Sequence, residues 1–209
     1  MENKEIYNKN KVTLRGIVED EPQFDHEVKG EKFYYFTLNI ERFSKTCDIL
    51  PVIISEKLIA MPIKKGMNLA VTGQFRSHNK VINDKNTLQL TVFVKGFEDE
   101  ALILDNTNEI TLSGTICKPP QFRKTPFERE ICDIFLAVNR TYNKSDYIPC
   151  IAWGRNAKFA AGLKVGDQLS VTGRIQSRNF AKHVSEEETI IRTAYEVSIR
   201  NLILEVDYD

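Results

Sequence analysis

The sequence predicts an all-β chain of two similar five-stranded barrels, each with one short helix between its third and fourth strands. Three observations carry that expectation: a long internal repeat, strand-period alternation of apolar residues, and paired glycines inside otherwise good strands. At an offset of 98 positions Gly16 aligns with Gly114, Pro22-Gln23-Phe24 with Pro120-Gln121-Phe122, Arg42 with Arg140 and Pro51 with Pro149. Two inserted residues raise the offset to 100, and then Gly66 meets Gly166, Val71-Thr72-Gly73 meets Val171-Thr172-Gly173, and Ser77 and Asn79 meet Ser177 and Asn179. Solenoid units run to roughly 20 to 50 residues, so a period this long marks a duplicated domain. The expected division is 1–105 and 106–209.

Alternation sets the strands. Ile134, Leu136 and Val138 share one face, as do Leu169, Val171 and Ile175, and the first copy repeats this with Phe36, Leu38, Ile40 and with Leu69, Val71, Phe75. The expected strands are 12–19, 33–42, 47–54, 68–78 and 87–97, then 110–117, 130–140, 146–153, 168–179 and 189–204. A helix is expected over 156–163, with Phe159 and Leu163 facing one core, and Ser55 is the expected cap of its shorter counterpart. Gly16, Gly73, Gly114 and Gly173 interrupt strands where a small barrel must bend or bulge to turn a corner. Five strands and one short helix, given twice, suggest tandem OB-type barrels.

Composition excludes several classes. With 209 residues and 42% apolar content the chain is globular, and its start lacks an apolar leader. No apolar run approaches the roughly 18 residues of a membrane span, so a cytoplasmic, nucleoid-associated protein is expected. Cys47, Cys117, Cys132 and Cys150 are too far apart for paired metal-ligand spacing, and His26, His78 and His183 stand apart from them. Buried reduced thiols are expected, with no metal and no cofactor. Without a His or carboxylate cluster for metal or general-base chemistry, no enzyme is expected.

The second copy carries the binding signal. Opposite Leu169, Val171 and Ile175, its fourth strand presents Arg174, Gln176, Arg178 and Phe180 in alternation. On the third strand Tyr147 and Trp153 share a face about 20 Å apart, with Ile148, Cys150 and Ala152 pointing inward, and Tyr142 sits at the turn leaving the second strand. Flat rings interleaved with cations suit a single-stranded nucleic acid, because every base has a stackable face and every phosphate a charge. Residues 110–182 hold twelve Lys and Arg against five Asp and Glu, whereas 12–82 hold ten against nine, so zero net charge hides one basic face. In the first copy the aromatic positions have become Ser44, Ile49, Ser55 and Lys80, leaving Phe43 near a stacking position. Glu186-Glu187-Glu188 reads as a solvated hairpin.

Phe135-Leu136-Ala137-Val138-Asn139-Arg140, Asp146-Tyr147-Ile148-Pro149-Cys150-Ile151-Ala152-Trp153-Gly154, Val165-Gly166-Asp167 and Gly173-Arg174-Ile175-Gln176-Ser177-Arg178 resemble consecutive strand motifs of the bacterial single-stranded DNA-binding protein family. The first half resembles that family more weakly, through its glycines, Val71-Thr72-Gly73 and its strand pattern. The resemblance implies a tandem OB-fold binder of single-stranded DNA whose base-stacking residues are Tyr142, Tyr147, Trp153 and Phe180. It also implies a homodimer forming a four-barrel pseudo-tetramer. The chain stops at Leu204-Glu205-Val206-Asp207-Tyr208-Asp209, without the long acidic-tipped tail by which such proteins recruit replication and repair enzymes.

The leading expectation is a non-catalytic protein that coats single-stranded DNA in replication, recombination or repair. In it those four rings stack bases while Arg140, Lys144, Arg155, Arg174 and Arg178 hold phosphates. The alternative is a primosomal or mobile-element accessory scaffold in which protein–protein interaction dominates.

Overall fold

The computed structural model describes residues 9–82, 85–183 and 189–205. Its strands join in one continuous sheet of eleven that contains a closed five-stranded barrel. β1 (Asn10–Val28), β2 (Glu31–Glu41), β3 (Cys47–Ser55), β4 (Asn68–Ile82) and β5 (Lys85–Phe97) run in the pairing order β1–β4–β5–β3–β2, and β2 returns to β1. The alternation predicts the inward face correctly: Phe36, Leu38, Ile40, Val71 and Phe75 are at most 1% exposed. β6 (Asn108–Ile116), β8 (Glu130–Asn139), β9 (Ser145–Trp153), β10 (Gln168–His183) and β11 (Thr189–Glu205) repeat that order as β6–β10–β11–β9–β8, with β8 meeting β6 at Thr115↔Ala137 and Ile116↔Leu136.

The second half holds a sixth strand, β7 (Gln121–Lys124), where five strands are expected. The matching stretch of the first half is the far end of β1, continuous through Pro22. In the second half Pro119 and Pro120 stand together, and two missing amide donors with fixed φ break the strand. α1 (Arg155–Ala160) lies between β9 and β10, and a 3-10 turn over Glu56–Leu58 lies between β3 and β4. Ser55 caps that turn, its hydroxyl accepting from the Lys57 amide. α1 buries Ala157 and Ala160, while Phe159 is 50% exposed. The expected Phe159–Leu163 core pair does not form, because the helix ends before Leu163 and its inward stripe falls on the small residues instead. Cys132 and Cys150 are buried free thiols as expected, but Cys47 is exposed and Cys117 half-buried, so the expectation of four buried thiols is corrected.

The glycines stand where strands cross closely. A Cβ on Gly73 would lie 2.3 Å from the Phe93 carbonyl oxygen, and one on Gly173 2.1 Å from that of Ser198. Both sit beside a register shift, at Thr72/Gly73 in β4–β5 and at Thr172/Gly173 in β10–β11.

β1 and β6 pair antiparallel with Val12 opposite Ile110, residues equivalent in the repeat. A pseudo-two-fold axis therefore passes between them, and contacts across it come in matched pairs. Asp48 accepts from the Ser177 amide at 2.7 Å and its hydroxyl at 3.1 Å, and Asp146 accepts from the Ser77 amide at 2.7 Å. Arg42 pairs with Asp48, and Arg140 with Asp146 at 3.2 Å. Inside each half an asparagine clamps the fourth strand: Asn10 bonds both backbone groups of Phe75, and Asn108 both of Ile175.

Candidate nucleic-acid interface

On β9 the alternation sends Ile148, Cys150 and Ala152 into the core and turns Tyr147 and Trp153 outward, as expected. Tyr147 is 46% exposed and stacks on Phe135 of β8, ring centres 6.3 Å apart and planes 16° from parallel. The Lys118 ammonium sits 4.6 Å from the Phe135 ring centre, adding a cation to the same platform. Neither Phe135 nor Lys118 is among the residues selected from sequence. The available signal is that Phe135 alternates with Ile134 and Leu136 and so must face outward.

Trp153 is half-buried, its indole N–H donating to the Ser198 hydroxyl at 3.2 Å. It lines a groove of about 460 Å³ with Arg129, Arg174, Arg178, Ser198 and, from the first half, Arg42. The expected Trp153, Arg174 and Arg178 are thus brought together, and Arg42 and Arg129 join them. Burial and then the neighbouring Arg42 charge push the Arg174 guanidinium down, with Asp48 opposing. Cations crowded against one another in a half-buried groove are relieved by an anion.

Phe180 continues the line along β10, 37% exposed, with the Arg178 guanidinium 6.0 Å from its ring centre. Gln176 departs from the expected outward stripe. It is buried at 7% exposure and donates to Glu196 at 2.7 Å, because the adjacent β11 places that carboxylate on the same face. Arg140 lies in the contact between halves, 28% exposed and paired with Asp146, where it orients β9. Burial pushes the Asp146 carboxyl up, opposed by the Ser77 amide, Arg140 and Arg76. Lys144 and Arg155 are exposed, at the turn before β9 and at the start of α1, and neither lines the Trp153 groove. The Tyr142 side chain lies outside the described residues, as do Glu186, Glu187 and Glu188.

In the first half Phe43 is fully exposed. It lines a second groove, of about 760 Å³, with Arg42, Lys45, Leu104, Arg174 and Arg200. Among the described residues no cluster of His, Cys, Asp and Glu could hold a metal ion, and no helix is long and apolar enough to cross a membrane.

The model of the "Single-strand binding protein family" matches residues 107–203, the segment that carries both the platform and the groove. These residues belong to that family. Similar relatives include "Single-stranded DNA-binding protein 2" of Listeria innocua, 34% identical over 105 residues, covering 45% of this chain and 66% of the relative. "Single-stranded DNA-binding protein A" of Bacillus subtilis is 38% identical over 80 residues, covering 35% and 46%. The chain thus spans about half to two thirds of the length of these relatives. The crystal structure of the wild-type single-stranded DNA binding protein from Thermus aquaticus has a TM-score of 0.74 and 18% identity. That likeness covers 97% of this chain and 95% of the other, and shows a shared fold over the matched residues.

Proposed function

We propose that this chain is a non-catalytic single-stranded DNA-binding protein built as two tandem OB barrels, 1–105 and 106–209, each with its short helix between the third and fourth strands. The second barrel takes the strand. Bases stack on Tyr142, Tyr147, Trp153 and Phe180, with Phe135 extending the platform. Lys144, Arg155, Arg174 and Arg178 hold phosphates, and Arg140 positions β9. The proposed assembly is a homodimer with four barrels, acting on DNA in the cytoplasm during replication, recombination or repair.

The observation that carries this reading is the half-buried Trp153 in a groove lined by Arg42, Arg129, Arg174 and Arg178. A ring beside a cluster of guanidinium groups, of which Arg42 meets Asp48 and Arg178 meets Glu196, suits a base and its phosphate, each stack being worth about 1–3 kcal/mol. The names of the relatives support the same substrate, and the accessory-scaffold alternative is not favoured. Trp153 is the single tryptophan, so oligo-dT should quench the intrinsic fluorescence, with affinity falling as salt rises. An unchanged signal, together with no binding at low salt, refutes the reading.

A further inference from the structure

The two halves share one backbone plan but carry opposite charge on the same free edge. Beyond Val18, which still bonds Met67 and Gly66, β1 is hydrogen-bonded along β2 alone. Its equivalent, β7, is bonded along β8 alone. Each is a strand edge with outward backbone donors and acceptors, a template for another strand. Pro22-Gln23-Phe24 and Pro120-Gln121-Phe122 are identical, and around them the charges invert. Residues 19–28 hold five carboxylates and no Lys or Arg, whereas 117–126 hold three Lys and Arg and no carboxylate. Asp20 stands at the position of Lys118, and Asp25 at that of Arg123.

The partners of these charges differ too. Glu19 is bonded to Asn39, Asp20 to Thr37 and Asp25 to His26, and among the described residues none of the three is paired with a Lys or Arg. Arg123 and Lys124 reach Asp133 and Glu128 in exposed pairs, the kind that exchanges readily for a better partner. Gln121–Lys124 is exposed throughout, and Glu21 and Asp25–Val28 are exposed as well.

We propose that the acidic edge of β1 in one copy docks on the basic edge of β7 in a second copy, a head-to-tail contact between unlike edges. Like edges repel, so the charges that ordinarily protect a strand edge here select its mate. The two edges are related by the pseudo-axis between Val12 and Ile110, so a copy that uses one edge keeps the other open. Such a heterologous contact propagates into an open row unless its rotation closes it into a ring. The contact is between copies of the protein and stands whether or not the chain takes DNA.

Two full-length variants test it. Glu21→Lys with Asp25→Arg and Glu27→Lys makes both edges basic; Arg123→Asp with Lys124→Glu makes both acidic. Sedimentation velocity at about 50 mM salt should show the natural chain associating into a growing series that about 300 mM salt dissolves. Each variant alone should associate at least about tenfold more weakly, and their equimolar mixture should recover the natural affinity. Absence of a salt-sensitive series in the natural chain, variants that associate as it does, or a mixture no better than its components each overturns the proposal. Should a variant fail to fold, hydrogen exchange on the natural chain decides. Amides of Asp25–Glu27 and of Lys124 should gain protection together as concentration rises, and unchanged exchange there overturns the contact.

Discussion

Asp48→Asn and Asp146→Asn, substitutions at equivalent positions of the repeat, should differ in cost. Asp48 is 1% exposed and accepts three kinds of bond: both oxygens from the Arg42 guanidinium, and one from the Ser177 amide and hydroxyl. Removing its charge strands Arg42 in a partly buried site, a loss of about 3–5 kcal/mol when one partner of a buried pair is deleted. Asp146 is fully buried, yet only its Oδ1 is hydrogen-bonded, to Ser77; Oδ2 faces Arg140 at 3.2 Å and Arg76 at 3.6 Å without hydrogen-bond alignment. Burial outweighs those attractions, since it pushes this carboxyl up. A neutral amide that still accepts from Ser77 is freed of that burial penalty but leaves Arg140 and Arg76 without their carboxylate, so its net cost should be smaller, about 1–2 kcal/mol. Urea unfolding at pH 7 reads both, with the slope checked for constancy. Asp48→Asn should also loosen Arg42 in the Trp153 groove and weaken oligo-dT binding. Equal costs at the two positions, or a larger cost at Asp146, refutes the reasoning.

Further outcomes follow from the same geometry. Phe135→Ala should lower oligo-dT affinity by about 1–3 kcal/mol, read by fluorescence titration, because it removes half of the Tyr147 stack. Arg174→Ala should reduce the slope of log affinity against log salt by about one, whereas an unchanged slope removes Arg174 from the phosphate contacts. Burial pushes the His78 imidazole down, so the folded state favours its neutral form. Its contribution is present above the unfolded value near 6.5 and is lost as pH falls through that value towards the lower folded one; His78→Gln should flatten stability across that window in thermal melts.

How much of this was legible in the sequence depends on what each feature needs. The strands read well because their inward faces are continuous: Phe36, Leu38 and Ile40 fix the parity of β2, and one slip would expose all three. Trp153 and Tyr147 face outward for the same reason. Phe159 failed because two small residues, Ala157 and Ala160, hold the buried face of α1, whereas the four-residue spacing of Phe159 and Leu163 pointed to a different face. Gln176 failed because its surroundings are set by Glu196, 20 residues away across a hairpin, which no local period reports. Lys118 lies over Phe135 beside the hydrogen bond from the Cys117 amide to the Phe135 carbonyl, a long-range pairing that no local period reports.

The positions that kept their identity through the duplication explain why the rest could diverge. Asp48 and Asp146 with Ser177 and Ser77 act where the halves meet, so a change there is felt on both sides of the pseudo-axis, while Asn10 and Asn108, Gly73 and Gly173 fix the close strand pairing inside each half. Outward positions carry no such constraint. Phe135 stands opposite Thr37 in the repeat, Tyr147 opposite Ile49 and Lys118 opposite Asp20, so one face gained rings and cations while its twin became acidic. Two separate identical chains could not diverge in this way, because any substitution would appear on both faces at once. Joining the copies in one chain is what permits a basic, aromatic face and an acidic one to share a single pseudo-symmetric frame.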